Sequence, residues 1–240
     1  MIEWLQRPAG DPVLEIGGRT LPVAIRRHPR AKRMTLRLAP DGGEIRVTIP
    51  RWGRTQDALA FAHSRSEWLA QQLAALPPPV AIVPGGTIRF RGGELEIDWH
   101  EDHPRRPLPV EGAIRLGGPE SHLSTRLQRW LETRALELMQ DDLAHYCECA
   151  GMAAPRLALS RAKRRWGSCS TTGTVRINWR LVQAPDFVRR SVVAHEVAHL
   201  VHFDHGREFH ALLASLYGER LAEADAWLKE HGRSLYAAFP

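Results

Sequence analysis

The stretch HEVAHLVHFDHGREFH, residues 195–210, restricts the folds open to this chain more than any other segment. It opens with His195-Glu196-x-x-His199, and Val192, Val193, Val197, Ala198 and Leu200 surround the motif. On an α-helix, positions i and i+4 lie on one face about 6 Å apart. Two imidazoles at that spacing can converge on one zinc ion at about 2.0 Å each. A helix this apolar is expected to be buried, and buried imidazoles need a polar partner, which a metal supplies. Glu196 leaves the helix at a different angle, so it can reach a water molecule at the ion without ligating the ion itself. That is the arrangement a metal-assisted hydrolase needs.

A catalytic zinc takes three protein ligands and keeps one position open. The candidates for the third are His202, Asp204, His205, Glu208, His210 and Glu223. His202 shares a face with His199 but sits roughly 10 Å along the helix axis from His195 at 1.5 Å per residue. His205 stands between Asp204 and Gly206, where the helix can end and the chain turn back. His205 is therefore the expected third ligand, and Glu223, in ERLAEADAW, is the main alternative. The spacing H-E-x-x-H-x5-H matches metzincin proteases. Those place glycine where this chain has His202, however, and they need a methionine turn downstream. All four methionines here precede the motif.

The rest of the chain frames this helix. At 240 residues it holds one large domain or two small ones. The first fifty residues read as a β-meander broken at Gly17-Gly18 and Asp41-Gly42-Gly43, and residues 55–76 as one helix stopped by Pro77-Pro78-Pro79. GTIRFRGGELEIDW reads as a hairpin. The proline- and charge-rich residues 101–120 are the expected linker. A long helix then runs from Ser121 to about Cys149. Two strands follow, near 155–162 and 174–180, then the histidine helix opening at Pro185-Asp186, then helices near 207–217 and 219–231. The fold class is α+β: a small β-rich domain with one helix over 1–110, and a second domain over 120–240. No internal repeat is visible in the sequence. The three cysteines form no disulfide framework, and MIEWLQRPAGD lacks the features of a secretory leader, so the expected compartment is the cytoplasm. No apolar run reaches the roughly 18 residues of a membrane span, so no membrane partner is expected.

RRHPRAKRMTLRLAPDGGEIRVTIP, FAHSRSEWLAQQL, RRWGSCSTTGTVRINWRLVQAP and VVAHEVAHLVHFDHGREFHALL together resemble the YgjP-like metallopeptidases, a group related to SprT-like zinc metalloproteases. The resemblance extends through most of the chain. It implies a zincin-like C-terminal domain made of an active-site helix, a backing helix and a small sheet. It also implies Zn2+ on His195, His199 and His205, and hydrolysis of protein or peptide substrates. Glu196 would act as the general base.

A second reading rests on charge. The net charge is +6. Arg26, Arg27, Arg30, Lys32 and Arg33 form one basic run and RAKRR another, with tryptophans interspersed. That pattern suits a nucleic-acid-binding protein with a structural or vestigial zinc, or, given the resemblance, a protease acting on DNA-associated proteins. A metal-free, pH-responsive histidine cluster is a third reading, but it leaves Glu196 and the helical spacing unexplained.

Overall fold

The structure, a computed structural model, describes residues 12–170 and 173–240. The first eleven residues, read above for a leader, lie outside the described residues, as do Thr171 and Thr172. The chain divides within its proline run into two units, Met1–Pro77 and Pro78–Pro240, each with its own hydrophobic core.

In the N-terminal unit, β1 (Val13–Ile16) and β2 (Arg19–His28) form a hairpin. Its two loop residues, Gly17 and Gly18, both have positive φ, the conformation that a two-residue hairpin turn needs and that glycine adopts without strain. β3 (Thr35–Leu38) and β4 (Ile45–Pro50) complete the sheet. Its order is β1-β2-β4-β3, with β2 and β4 parallel, so it is not the simple meander expected: β4 lies between β2 and β3. Ile45, Val47 and Ile49 alternate inward along β4 and are fully buried.

The expected single helix over 55–76 is two, α1 (Thr55–His63) and α2 (Ser66–Ala74). The hydroxyls of Ser64 and Ser66 donate to the carbonyls of Phe61 and His63 at the break. Such local bonds compete with the helical ladder. Ala58, Ala62 and Leu69 close the core of this unit.

In the C-terminal unit, β5 (Thr87–Phe90), β6 (Gly93–Trp99), β7 (Leu108–Val110) and β8 (Ala113–Leu116) form a sheet of order β5-β6-β8-β7. It repeats the first sheet's plan of antiparallel, parallel and antiparallel pairs. The sequence conceals this because loop lengths differ between the copies.

Residues 101–120 are thus not a linker. β7 pairs with β8, Ile114 and Leu116 are fully buried, and Gly117 and Gly118 donate to the carbonyls of Pro104 and Glu101. Proline and charge mark an edge strand and its turns here.

α3 (Leu123–Cys149) packs Leu127, Leu131, Ala135, Met139 and Leu143 into the core. Met139 is fully buried while its neighbour Leu138 is half-buried. A three-stranded sheet follows, β9 (Leu157–Ser160), β10 (Gly167–Cys169) and β11 (Val175–Asn178), in the order β10-β11-β9. β10 adds a third strand to the two expected here. α4 (Asp186–Val201), α5 (Arg207–Tyr217) and α6 (Leu221–His231) complete the unit. The α+β class and the three components of a zincin-like domain (histidine helix, backing helix, small sheet) are all present.

α4 is held against α3 by a buried ion pair as well as by apolar contact. Arg189, 3% exposed, donates through Nε to Asp142 of α3 at 2.7 Å and through Nη1 to Asp186 at 2.5 Å. Asp186 sits in the first turn of α4, where a carboxylate also suits the helix dipole. Burial pushes the Asp142 carboxyl up, while Arg189 works in the opposite direction. Removing one partner of such a pair strands the other charge. Arg189→Ala should lower the unfolding free energy by about 3–5 kcal/mol, measured by urea denaturation.

Candidate metal centre

Every residue of the site except His205 comes from a regular element or its immediate flank. α4 carries His195 and His199 one turn apart, with ring centroids 4.8 Å from each other. The helix ends at Val201. His202 still donates its N–H to the Ala198 carbonyl but is extended, with φ −126° and ψ 109°. Residues 202–206 then reverse the chain, and α5 starts at Arg207. The reversal returns His205 to the two helical imidazoles. One ring nitrogen from each of His195, His199 and His205 lies within 4.8 Å of the others. The Nε2 atoms of His195 and His205 are 3.4 Å apart. Two nitrogens each about 2.0–2.1 Å from a tetrahedral ion are separated by roughly that distance.

The protonation states suit lone-pair donation. Burial, helped by the neighbouring imidazoles, brings His195 down to about 4, so its ring is neutral at neutral pH. Burial also lowers His199, against the opposing effect of its bond to His202. His199 Nδ1 lies 3.1 Å from the His202 carbonyl. A carbonyl only accepts, so Nδ1 carries the proton and Nε2 keeps its lone pair. Phe209 of α5 is fully buried and packs on all three rings, with centroids 5.0, 4.5 and 4.7 Å from His195, His199 and His205.

The other candidates lie elsewhere. His202 directs Nδ1 toward Glu208 at 3.7 Å. Glu223 is bonded twice to Arg220. His210 lies edge-on to Phe209 and tilted beside His205, and neither it nor Asp204 joins the cluster. Cys169 also stays outside it, donating to the Ser170 carbonyl at 3.5 Å. Among the described residues, His195, His199 and His205 form the one group able to hold an ion.

Glu196 stands next to the cluster, 5% exposed, and its Oε2 is buried with no hydrogen-bond partner among the described residues. Burial pushes its carboxyl up to about 7, although the positive charge of Arg165 acts to lower it. An orphaned carboxylate oxygen on the residue next to His195, beside a cluster of three imidazoles, fits a divalent ion and its water. The donor set is one that zinc accepts.

The room for Glu196 is made by Gly167 on β10, a residue to which sequence reasoning gave no role. A Cβ there would sit 2.7 Å from both Cγ and Cδ of Glu196, inside van der Waals contact. β10 pairs with β11 on one side only and is an edge strand of its sheet. Asn178 at the end of β11, fully buried, donates to the Ala162 carbonyl at 2.9 Å and so ties the basic RAKRR loop to the sheet.

Three imidazoles that can share one ion, next to a buried carboxylate, are the equipment of metal-assisted hydrolysis. A family model described as "YgjP-like, metallopeptidase domain" matches residues 32–231, and the chain belongs to this metallopeptidase family. A crystal structure of the metallopeptidase zymogen of Pyrococcus abyssi abylysin is similar at 18% identity over 38% of this chain and 93% of that one, with a TM-score of 0.36. Comparison with curated proteins gives no match.

Gly167→Ala should leave metal content and folding intact while displacing the Glu196 carboxylate. A shift on the order of 1 Å in a reacting group costs about a hundredfold in rate. The expected result is a loss of that size in kcat/KM on a protein substrate, with unchanged metal by elemental analysis.

Proposed function

We propose that the chain is a zinc-dependent peptidase in which His195, His199 and His205 hold Zn2+ and Glu196 is the general base. The observation that carries this reading is the meeting of three ring nitrogens within 4.8 Å beside the orphaned Glu196 carboxylate. When bound, the ion supplies Lewis acidity that brings water toward ionisation near neutral pH and polarises a carbonyl.

Glu196 accepts the proton of the attacking water at a carboxylate oxygen and later delivers it to the leaving amine. Gly167 keeps the carboxylate free to move between these positions. His199, fixed by the His202 carbonyl, keeps Nε2 directed inward. The free edge of β10 offers backbone N–H and C=O groups to an extended chain, so a protein or peptide segment is the natural substrate. Arg165, close enough for its charge to act on Glu196, flanks that edge.

No helix among the described residues is long and apolar enough to cross a membrane. Cys147, Cys149 and Cys169 are unpaired, in keeping with work in the cytoplasm.

Two substitutions separate binding from chemistry. His199→Ala should lose the metal, read by elemental analysis of the purified protein. Glu196→Gln should keep it, yet lose turnover of casein or a peptide library by roughly a hundredfold or more. Cleavage by Glu196→Gln at the wild-type rate would remove the general-base assignment. Loss of metal from neither variant would remove the ligand set.

A further inference from the structure

The basic run of the N-terminal unit supplies no residue of the His195, His199 and His205 cluster. We propose that the β2–β3 loop and the β4–α1 turn form a binding surface for single-stranded nucleic acid, with Trp52 as its stacking platform.

The register brings these segments together. β2 and β4 are parallel neighbours, and His28 pairs with Pro50 at their last rung. The chain leaves both strands at the same end of the sheet, with neighbouring strands about 4.8 Å apart. From β2 come Arg26, Arg27, Arg30, Lys32 and Arg33; from β4 come Arg51, Trp52 and Arg54. A bond of 3.0 Å from Arg27 to the Thr55 hydroxyl fastens one segment to the other. All seven of these cationic residues are exposed. Arg30, Lys32, Arg33, Arg51 and Arg54 have no ion-pair partner among the described residues.

Within this stretch of chain the carboxylates do not neutralise the basic residues. Between residues 26 and 57 they are Asp41, Glu44 and Asp57. Asp41 and Glu44 lie in the β3–β4 turn at the far end of β4, and Glu44 is paired with Arg46. Asp57 alone belongs to this side, in the first turn of α1.

Trp52 determines the kind of anion. It is 81% exposed, the most exposed large hydrophobic side chain among the described residues. A bare indole in the same turn as Arg51 and Arg54, at the sheet end that also carries the Arg30–Arg33 loop, offers a π-face for an unstacked base and cations for the neighbouring phosphates. A duplex keeps its bases stacked and would leave the indole unused. An anionic bilayer would reward a broad apolar face, and here one ring stands among charges.

The test uses the full chain and fluorescein-labelled oligo-dT and oligo-U, with a labelled duplex and phosphatidylserine vesicles for comparison. The wild type should bind a single strand more tightly than the duplex or the vesicles. Preference for oligo-dT identifies DNA, and preference for oligo-U identifies RNA. Affinity should fall with salt, with a log–log slope of roughly −0.7 per phosphate contacted. Trp52→Ala, at a position that packs little, should weaken binding by about tenfold or more. The combined Arg30→Glu, Lys32→Glu and Arg33→Glu variant should flatten the salt slope. His199→Ala should bind as the wild type does, which separates this surface from the metal centre. The proposal falls if neither oligonucleotide binds at low salt, if Trp52→Ala binds unchanged while its circular dichroism is native, or if the duplex or the vesicles are preferred.

Discussion

The C-terminal unit is organised around the burial of α4. Arg189, Ser191, Val192, Val193, Ala194, Glu196, Val197 and Ala198 are all buried, so the helix is enclosed on nearly every side. Enclosure on this scale is what packs α3 and the small sheet onto α4. It also sets a difficulty, because a carboxylate and two imidazoles ride on the same helix. Burying a charge without a partner is far more costly than burying a methyl group. The chain answers with neutral imidazoles, a raised Glu196 carboxyl and an ion pair at the opposite end of the helix through Arg189. The destabilising groups are gathered in one place, next to β10, and the apolar remainder compensates for them.

The reversal after Val201 does two things with one residue. His202 closes the helix through its N–H and, being extended, turns its carbonyl to His199 Nδ1. The same residue that stops the helix therefore fixes the tautomer of a helical imidazole. A glycine at this position could also end a helix. What matters for His199 is the carbonyl, which any residue in this conformation provides, so the identity of the His202 side chain is free for another use. It faces Glu208 across the reversal.

How far the molecule could be read from its sequence depended on the range of the forces involved. The histidine helix was legible because its signals are local: the i, i+4 pair, the apolar run, and a proline and acid at its start. His205 was legible as the favoured residue of the reversal because Asp204 and Gly206 announce a turn. The break between α1 and α2 was hidden, since Ser64 and Ser66 are compatible with a helix until their hydroxyls turn to the backbone. Residues 101–120 misled because proline and charge describe an edge strand as well as a linker. Gly167 was quoted yet silent: its meaning lies in a carboxylate twenty-nine residues on, a contact no local pattern carries. Phe209 was similar, one aromatic among several until α5 folded it under the three rings.

The two four-stranded sheets share a plan but treat the ends of their parallel strands differently. In the C-terminal unit, Trp99 ends β6, is half-buried, and donates Nε1–H to the Gly118 carbonyl at 3.1 Å. The loop beyond it is bound back to the end of β8. That end is finished internally, and the sheet's core goes to support α3, which in turn backs α4. In the N-terminal unit the core is closed by α1 and α2, and the corresponding end leaves its indole in water among unpaired cations. Packing alone gives no reason to keep such a ring exposed, because turning it inward would remove apolar surface from water at about 25 cal/mol per Å². On the proposed reading, the element completed internally in one copy of the plan is left open in the other to take a nucleic-acid strand.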